Sequence, residues 1–132
     1  MAEVERSKDL VAIVDDDESV RNAVHGVLRS VGLKTQTFTS AEDFLESGQQ
    51  TETGCLITDV QMPGMTGLEL QARLVEENQR IPIIFITAYG TPRMRVQAMQ
   101  AGAVALLGKP FNDEVLLETV RGALERGQRG NR

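Results

Sequence analysis

Four acids in succession, Asp15-Asp16-Asp17-Glu18, follow directly on the apolar run Leu10-Val11-Ala12-Ile13-Val14. A fifth, Asp59, closes the run Cys55-Leu-Ile-Thr58, and Thr87 closes Ile81-Pro-Ile-Ile-Phe-Ile86. Lys109-Pro110 follows Ala103-Val-Ala-Leu-Leu107 by way of Gly108. Carboxylates brought together repel, and they raise one another's pKa unless a cation joins them. Hard oxygen ligands with little His or Cys nearby suit Mg²⁺, which takes a few carboxylates together with water and phosphate oxygens. A lysine beside them would meet a phosphate as a point charge. The chemistry open to Asp15, Asp16, Asp59, Thr87 and Lys109 together is the binding of Mg²⁺ and a phosphoryl group. Each residue also has a plainer reading. Asp17 and Glu18 favour a helix N-terminus, Asp59 could cap a turn at Pro63–Gly67, Thr87 could be structural and Lys109 a surface lysine. Convergence of the set on one place is what favours the site.

That convergence depends on the elements carrying the residues. The apolar runs read as strands covered on both faces. Between them lie helical stretches. Val20, Val24, Val27, Leu28 and Val31 form an amphipathic stripe, and Gly32 ends it as a left-handed residue. Lys34–Phe38 alternates as a half-exposed strand, and Ser40-Ala-Glu-Asp43 is a capping signal for a short helix to about Ser47. The polar stretch Gly48–Gly54 reads as a loop. After Pro63, Gly64 and Gly67 comes a helix carrying Leu68, Ala72 and Val75. Thr91-Pro92 is an N-cap with proline at N1, opening a helix to about Gln100. Leu116, Val120, Ala123 and Leu124 give a last helical stripe. Five strand–helix alternations predict a doubly wound α/β domain with a parallel sheet. In such sheets ligands bind outside the carboxyl ends of the strands, where all five candidate residues fall.

Composition narrows the class. The chain has 132 residues, 41% hydrophobic and 25% charged, which suits one domain able to fold without staples. A single cysteine, Cys55, excludes a disulfide scaffold. Short apolar runs and a polar N-terminus argue against a membrane span or signal peptide, and so predict the cytoplasm. A net charge of −5 argues against direct nucleic-acid binding. Residues 121–132 carry four Arg against one Glu, a net of +3 that leaves −8 on the other 120 residues. The expected division is an N-terminal extension at 1–8, a domain at 9–125, and a tail or linker at 126–132.

VAIVDDDESVR (11–21), LITDVQMPGMTGLEL (56–70), PIIFITAYG (82–90) and AGAVALLGKPF (101–111) resemble the receiver domain of two-component response regulators. The motifs stand in order and span almost the whole chain. The resemblance implies a flavodoxin-like fold, with five parallel strands in the order 2-1-3-4-5 and five helices. It implies that Asp59 accepts a phosphoryl group from the phosphohistidine of a sensor histidine kinase. Mg²⁺ would be held by Asp16 directly, by Asp15 through water, by a carboxylate oxygen of Asp59 and by the backbone carbonyl of Gln61. Thr87 would report the phosphoryl group through its hydroxyl, Lys109 would pair with it, and the Lys109–Pro110 bond would be cis. One position departs: Leu106 stands where the family usually has Tyr or Phe, the aromatic half of its switch. Gln61 and Tyr89 occupy the positions that tune acyl phosphate lifetime. His25, the only histidine, falls in the first helix and is expected to be neither ligand nor donor.

Met62–Gly67 and Ile83–Gly90 are most similar to receivers of the nitrogen-fixation regulator type, which precede a helix-turn-helix DNA-binding domain. The weakly patterned fourth helix suits an exposed partner surface, and the resemblance implies pairing through the fourth and fifth helices on phosphorylation. The function expected is therefore that of a signalling domain rather than a turnover enzyme. One rival is a small Mg²⁺-dependent phosphatase of the haloacid dehalogenase type. Asp15 of Asp15-x-Asp17 would be its nucleophile, and Thr87 and Lys109 its later motifs. That rival leaves Asp59 and Met62–Gly67 unexplained. Another is a receiver-like binding module that is never phosphorylated.

Overall fold

Every apolar run becomes a strand, and a helix comes after each. The computed structural model describes residues 8–129. Five strands, β1 (Leu10–Val14), β2 (Lys34–Phe38), β3 (Thr53–Asp59), β4 (Ile83–Thr87) and β5 (Ala105–Gly108), form one parallel sheet in the order β2-β1-β3-β4-β5. The helices are α1 (Glu18–Ser30), α2 (Ala41–Ser47), α3 (Gly67–Glu76), α4 (Pro92–Gln100) and α5 (Asp113–Arg129). This is the doubly wound order that the resemblance implies.

Alternation along the strands builds two cores. Val11, Ile13, Cys55, Ile57, Ile84 and Ile86 pack with Val24 and Leu28 of α1 and with Leu116, Val120 and Ala123 of α5. Their neighbours Ala12, Val14, Leu56 and Phe85 turn to the other face, against Phe44 of α2, Leu70 and Leu74 of α3 and Ala98 of α4. Side chains such as Leu28, Leu70 and Leu116 are fully buried, each stabilising the fold by about 1.5–3 kcal/mol. Phe38 meets Phe44 edge to face at 5.3 Å, which fixes the start of α2 against the end of β2.

Four sequence expectations shift. Val31 is the C-cap of α1 and exposed, not the last residue of its stripe, and Gly32 takes the left-handed turn at φ +83°. The stretch 48–54 is not all loop: Gln49–Glu52 forms a 3₁₀ turn, and β3 already begins at Thr53. In α3 the buried face is Gly67, Leu70, Gln71 and Leu74, while Ala72 and Val75 are exposed and Leu68 half-buried. Two stripes competed there, and packing chose the one containing a glutamine, because the Gln71 amide donates to Ala98 O at 3.3 Å. Finally, α5 runs through Arg129, so residues 126–129 of the expected tail are helical. Residues 1–7 and 130–132 of the expected extension and tail lie outside the described residues.

Candidate functional site

β1, β3 and β4 run side by side, so their last residues arrive at one edge. Asp15 comes directly after β1 and is 2% exposed. Its N–H donates to Phe38 O at 3.2 Å, which carries the ladder one step beyond the strand. Its Oδ1 accepts from the Asp17 N–H at 2.9 Å, and its carbonyl accepts from Arg21 Nη1 at 2.8 Å. Asp16 is exposed beside it. Asp17 does something different: it is the N-cap of α1, accepting from the Ser19 and Val20 amides and from the Ser19 hydroxyl. The Ser19 bonds, the side-chain one foremost, hold its carboxyl below the usual carboxylate range. The acidic run is divided between site and cap.

Asp59 ends β3, 9% exposed. Its Oδ1 accepts from the Gln61 N–H at 3.1 Å, and its Oδ2 lies 2.7 Å from Lys109 Nζ. The same Nζ stands 3.1 Å from Asp15 Oδ2, so one ammonium bridges two carboxylates from different strands. Lys109 is placed there by its own N–H, which donates to Thr87 O at 2.9 Å just beyond β5; the Lys109–Pro110 bond is cis. Burial works against the lysine's charge, but the bonds to Asp59 and Asp15 outweigh it and raise its pKa. For Asp15 the balance falls the other way. Burial outweighs the Asp17 amide and Lys109, and its carboxyl is pushed above 3.8.

Asp15, Asp16 and Asp59 can each offer a carboxylate oxygen within 4.8 Å of the others. Three carboxylates facing one ammonium leave two negative charges uncompensated, which a divalent cation would balance. An all-oxygen set with one exposed member fits Mg²⁺, which keeps part of its water.

On the β4 side, Thr87 is 4% exposed, and its Oγ1 accepts from the Tyr89 N–H at a long 3.4 Å. Leu106 is buried nearby. A Cβ on Gly90 would meet Thr87 Cγ2 at 3.0 Å and Leu106 Cδ2 at 3.4 Å, so Gly90 lies close to both. Tyr89 itself is 80% exposed. His25 lies apart, its Nδ1 2.7 Å from Thr35 Oγ1 on β2. Two residues escaped the sequence reading. Gly67 approaches the backbone of Asp59 so closely that a Cβ there would fall 2.1 Å from Asp59 O. Glu42 reaches across from α2 to accept from the Met65 N–H at 2.9 Å. The PGMTG stretch hinted at the first; nothing in the sequence signals the second.

The fold and this edge define a class. The family model of the response regulator receiver domain matches residues 11–121. The chain belongs to that family, the receiver domains of two-component response regulators. Among curated relatives, it is 45% identical to nodulation protein W of Bradyrhizobium diazoefficiens over 123 residues, covering 93% of the chain and 54% of the relative. It is 40% identical over 116 residues to the transcriptional regulatory protein FixJ of Azorhizobium caulinodans, covering 88% of the chain and 55% of the relative. Among solved structures, the response regulator StyR superposes with a TM-score of 0.86 at 43% identity, over 92% of this chain and 62% of that one. The chain spans about half the length of the curated relatives it matches. Family membership accounts for the 56–70 motif around Asp59, and nothing in the comparisons supports the dehalogenase-type alternative. No helix among the described residues is long and apolar enough to cross a membrane.

Proposed function

We propose that Asp59 is the phosphoacceptor, that Asp15, Asp16, Asp59 and the Gln61 carbonyl hold Mg²⁺, and that Thr87 and Lys109 receive the phosphoryl oxygens. The observation that carries this reading is the Lys109 ammonium bridging Asp59 and Asp15 within a cluster of three carboxylates. A carboxylate oxygen of Asp59 attacks phosphorus, and the P–N bond of a phosphohistidine on a sensor kinase breaks, its electron pair leaving with the imidazole. The Gln61 N–H on Oδ1 orients the attacking carboxylate. Lys109 shifts its ammonium toward the equatorial oxygens, where negative charge spreads in the transition state. Bound Mg²⁺ supplies the remaining positive charge. The product carries nearly two negative charges where one stood, with new acceptor oxygens for the Thr87 hydroxyl.

The weak 3.4 Å bond from Tyr89 suits a hydroxyl that must turn. Leu106, buried beside Gly90 as Thr87 is, would fill the space a family aromatic occupies. On this reading the domain works in the cytoplasm and pairs through α4 and α5 when phosphorylated. In the whole protein it controls a DNA-binding output domain, a reading supported by the relatives' greater length and by the name of the transcriptional regulatory protein FixJ.

The test is incubation with acetyl phosphate and Mg²⁺, followed by mapping of the modified residue. Phosphate is expected on Asp59, none on Asp59→Asn, and none after chelation of the metal. Labelling of Asp15 that survives Asp59→Asn would overturn the assignment. No incorporation from any donor would leave a binding module that is never phosphorylated.

A further inference from the structure

The loop between β3 and α3 carries the groups that orient Asp59, and three amides there are tied locally, to β3, to the loop or to α3. The Gln61 N–H donates to Asp59, the Thr66 N–H to Glu69 and the Gly67 N–H to Val60 O. At Met65 the partner comes from elsewhere: the amide donates to Glu42 Oε2, 23 residues away on α2. Glu42 Oε2 also occupies the space beside Gly64, where a Cβ would fall 2.8 Å from it, and Gly64 holds φ +77°. The start of α2 is prepared for this reach. Ser40 Oγ caps the Asp43 amide, and Thr39 donates to Asp43 Oδ2, so these groups are occupied and Glu42 faces the loop. One turn earlier Phe38 O accepts the amide of Asp15, and Phe38 is wedged against Phe44.

Phe38–Glu42 therefore touches both loops of the site, one through a backbone bond at Asp15 and the other through a carboxylate at Met65. We infer that Glu42 is a positioning residue for the acceptor site, a strut that sets the β3–α3 loop, and with it Gln61 and Asp59, at a fixed distance from Asp15. The inference rests on the reading of Asp59 and its neighbours as a Mg²⁺-assisted acceptor site. What Glu42 supplies is an acceptor oxygen at one point. Glu42→Gln should keep it and Glu42→Ala should lose it; the side chain is exposed, so both variants should fold.

Two measurements separate the strut from the site it serves. In the metal-free protein, amide exchange at Met65 and Gln61 should accelerate about tenfold in Glu42→Ala, since both bonds belong to one locally opening unit. By titration calorimetry, Mg²⁺ should bind Glu42→Ala about three- to tenfold more weakly, less than the loss expected for a group bonded directly to a ligand. Glu42→Gln should stay near the parent in both. Faster exchange at Met65 with Gln61 unchanged would overturn the inference, as would unchanged Mg²⁺ affinity in Glu42→Ala. Equal loss in Glu42→Gln would also overturn it, by assigning the effect to charge. If the parent itself binds no Mg²⁺, the acceptor-site reading fails, while the exchange data still decide whether Glu42 holds the loop.

Discussion

The two sides of the site are held very differently. On the β3 side, the amides of Gln61, Met65, Thr66 and Gly67 all have partners at 2.8–3.1 Å, and α3 opens with a reciprocal capping box between Thr66 and Glu69. On the β4 side, the Thr87 hydroxyl keeps one long bond, Tyr89 stands in solvent, and α4, though capped by Thr91, buries Ala98 alone while Val96 and Met99 are exposed. Both sides begin at the end of a fully buried strand. The difference lies in the segment after each strand. On the proposed function, Asp59 needs a fixed backbone to meet phosphorus in line, whereas an α4 that exchanges partners needs a low cost of rearrangement, and local stability rises with burial.

The contrast can be broken hardest at Gly67. A methyl group there would press on the Asp59 carbonyl, which backbone cannot yield cheaply. Gly67→Ala should destabilise the fold by about 3 kcal/mol, lowering Tm by roughly 10 °C. A smaller and opposite effect is expected from Asp15→Asn without metal. Burial holds the Asp15 carboxyl above 3.8, so its contribution to stability is full below that unfolded value. The contribution is lost as pH rises through the higher native one. At pH 7 the parent therefore bears a penalty that the amide lacks. Asp15→Asn should raise Tm at pH 7, and the gap should close as pH falls through the native value. A gap that widens on acidification would contradict the direction. Least affected should be Val96→Ser with Met99→Gln on α4, within about 0.5 kcal/mol of the parent and phosphorylated at the parental rate from acetyl phosphate.

Much of the site was legible because strand ends are legible. Asp15, Asp59 and Thr87 each come at the end of a buried strand pattern, and parallel strands in one sheet must deliver them to one edge. Thr91-Pro92 and Ser40 announced their helices through capping chemistry that is local by nature. The failures nearest the site were non-local. The buried stripe of α3 depends on a carbonyl of α4 accepting from Gln71. The early start of β3 comes from the pairing of Thr53 with Leu10 of β1, across a register shift at Gly54. The reach of Glu42 to Met65 spans two elements. A pattern of hydrophobicity records which face is apolar; it carries no record of which polar group will find its partner from another element.

The division between a fixed acceptor side and a movable response side is tested most directly by amide exchange with and without beryllofluoride and Mg²⁺. Residues 87–100 should change protection most, and residues 59–67, already bonded, should change least. The reverse, with the β3–α3 loop reordering and α4 unaffected, would contradict the account.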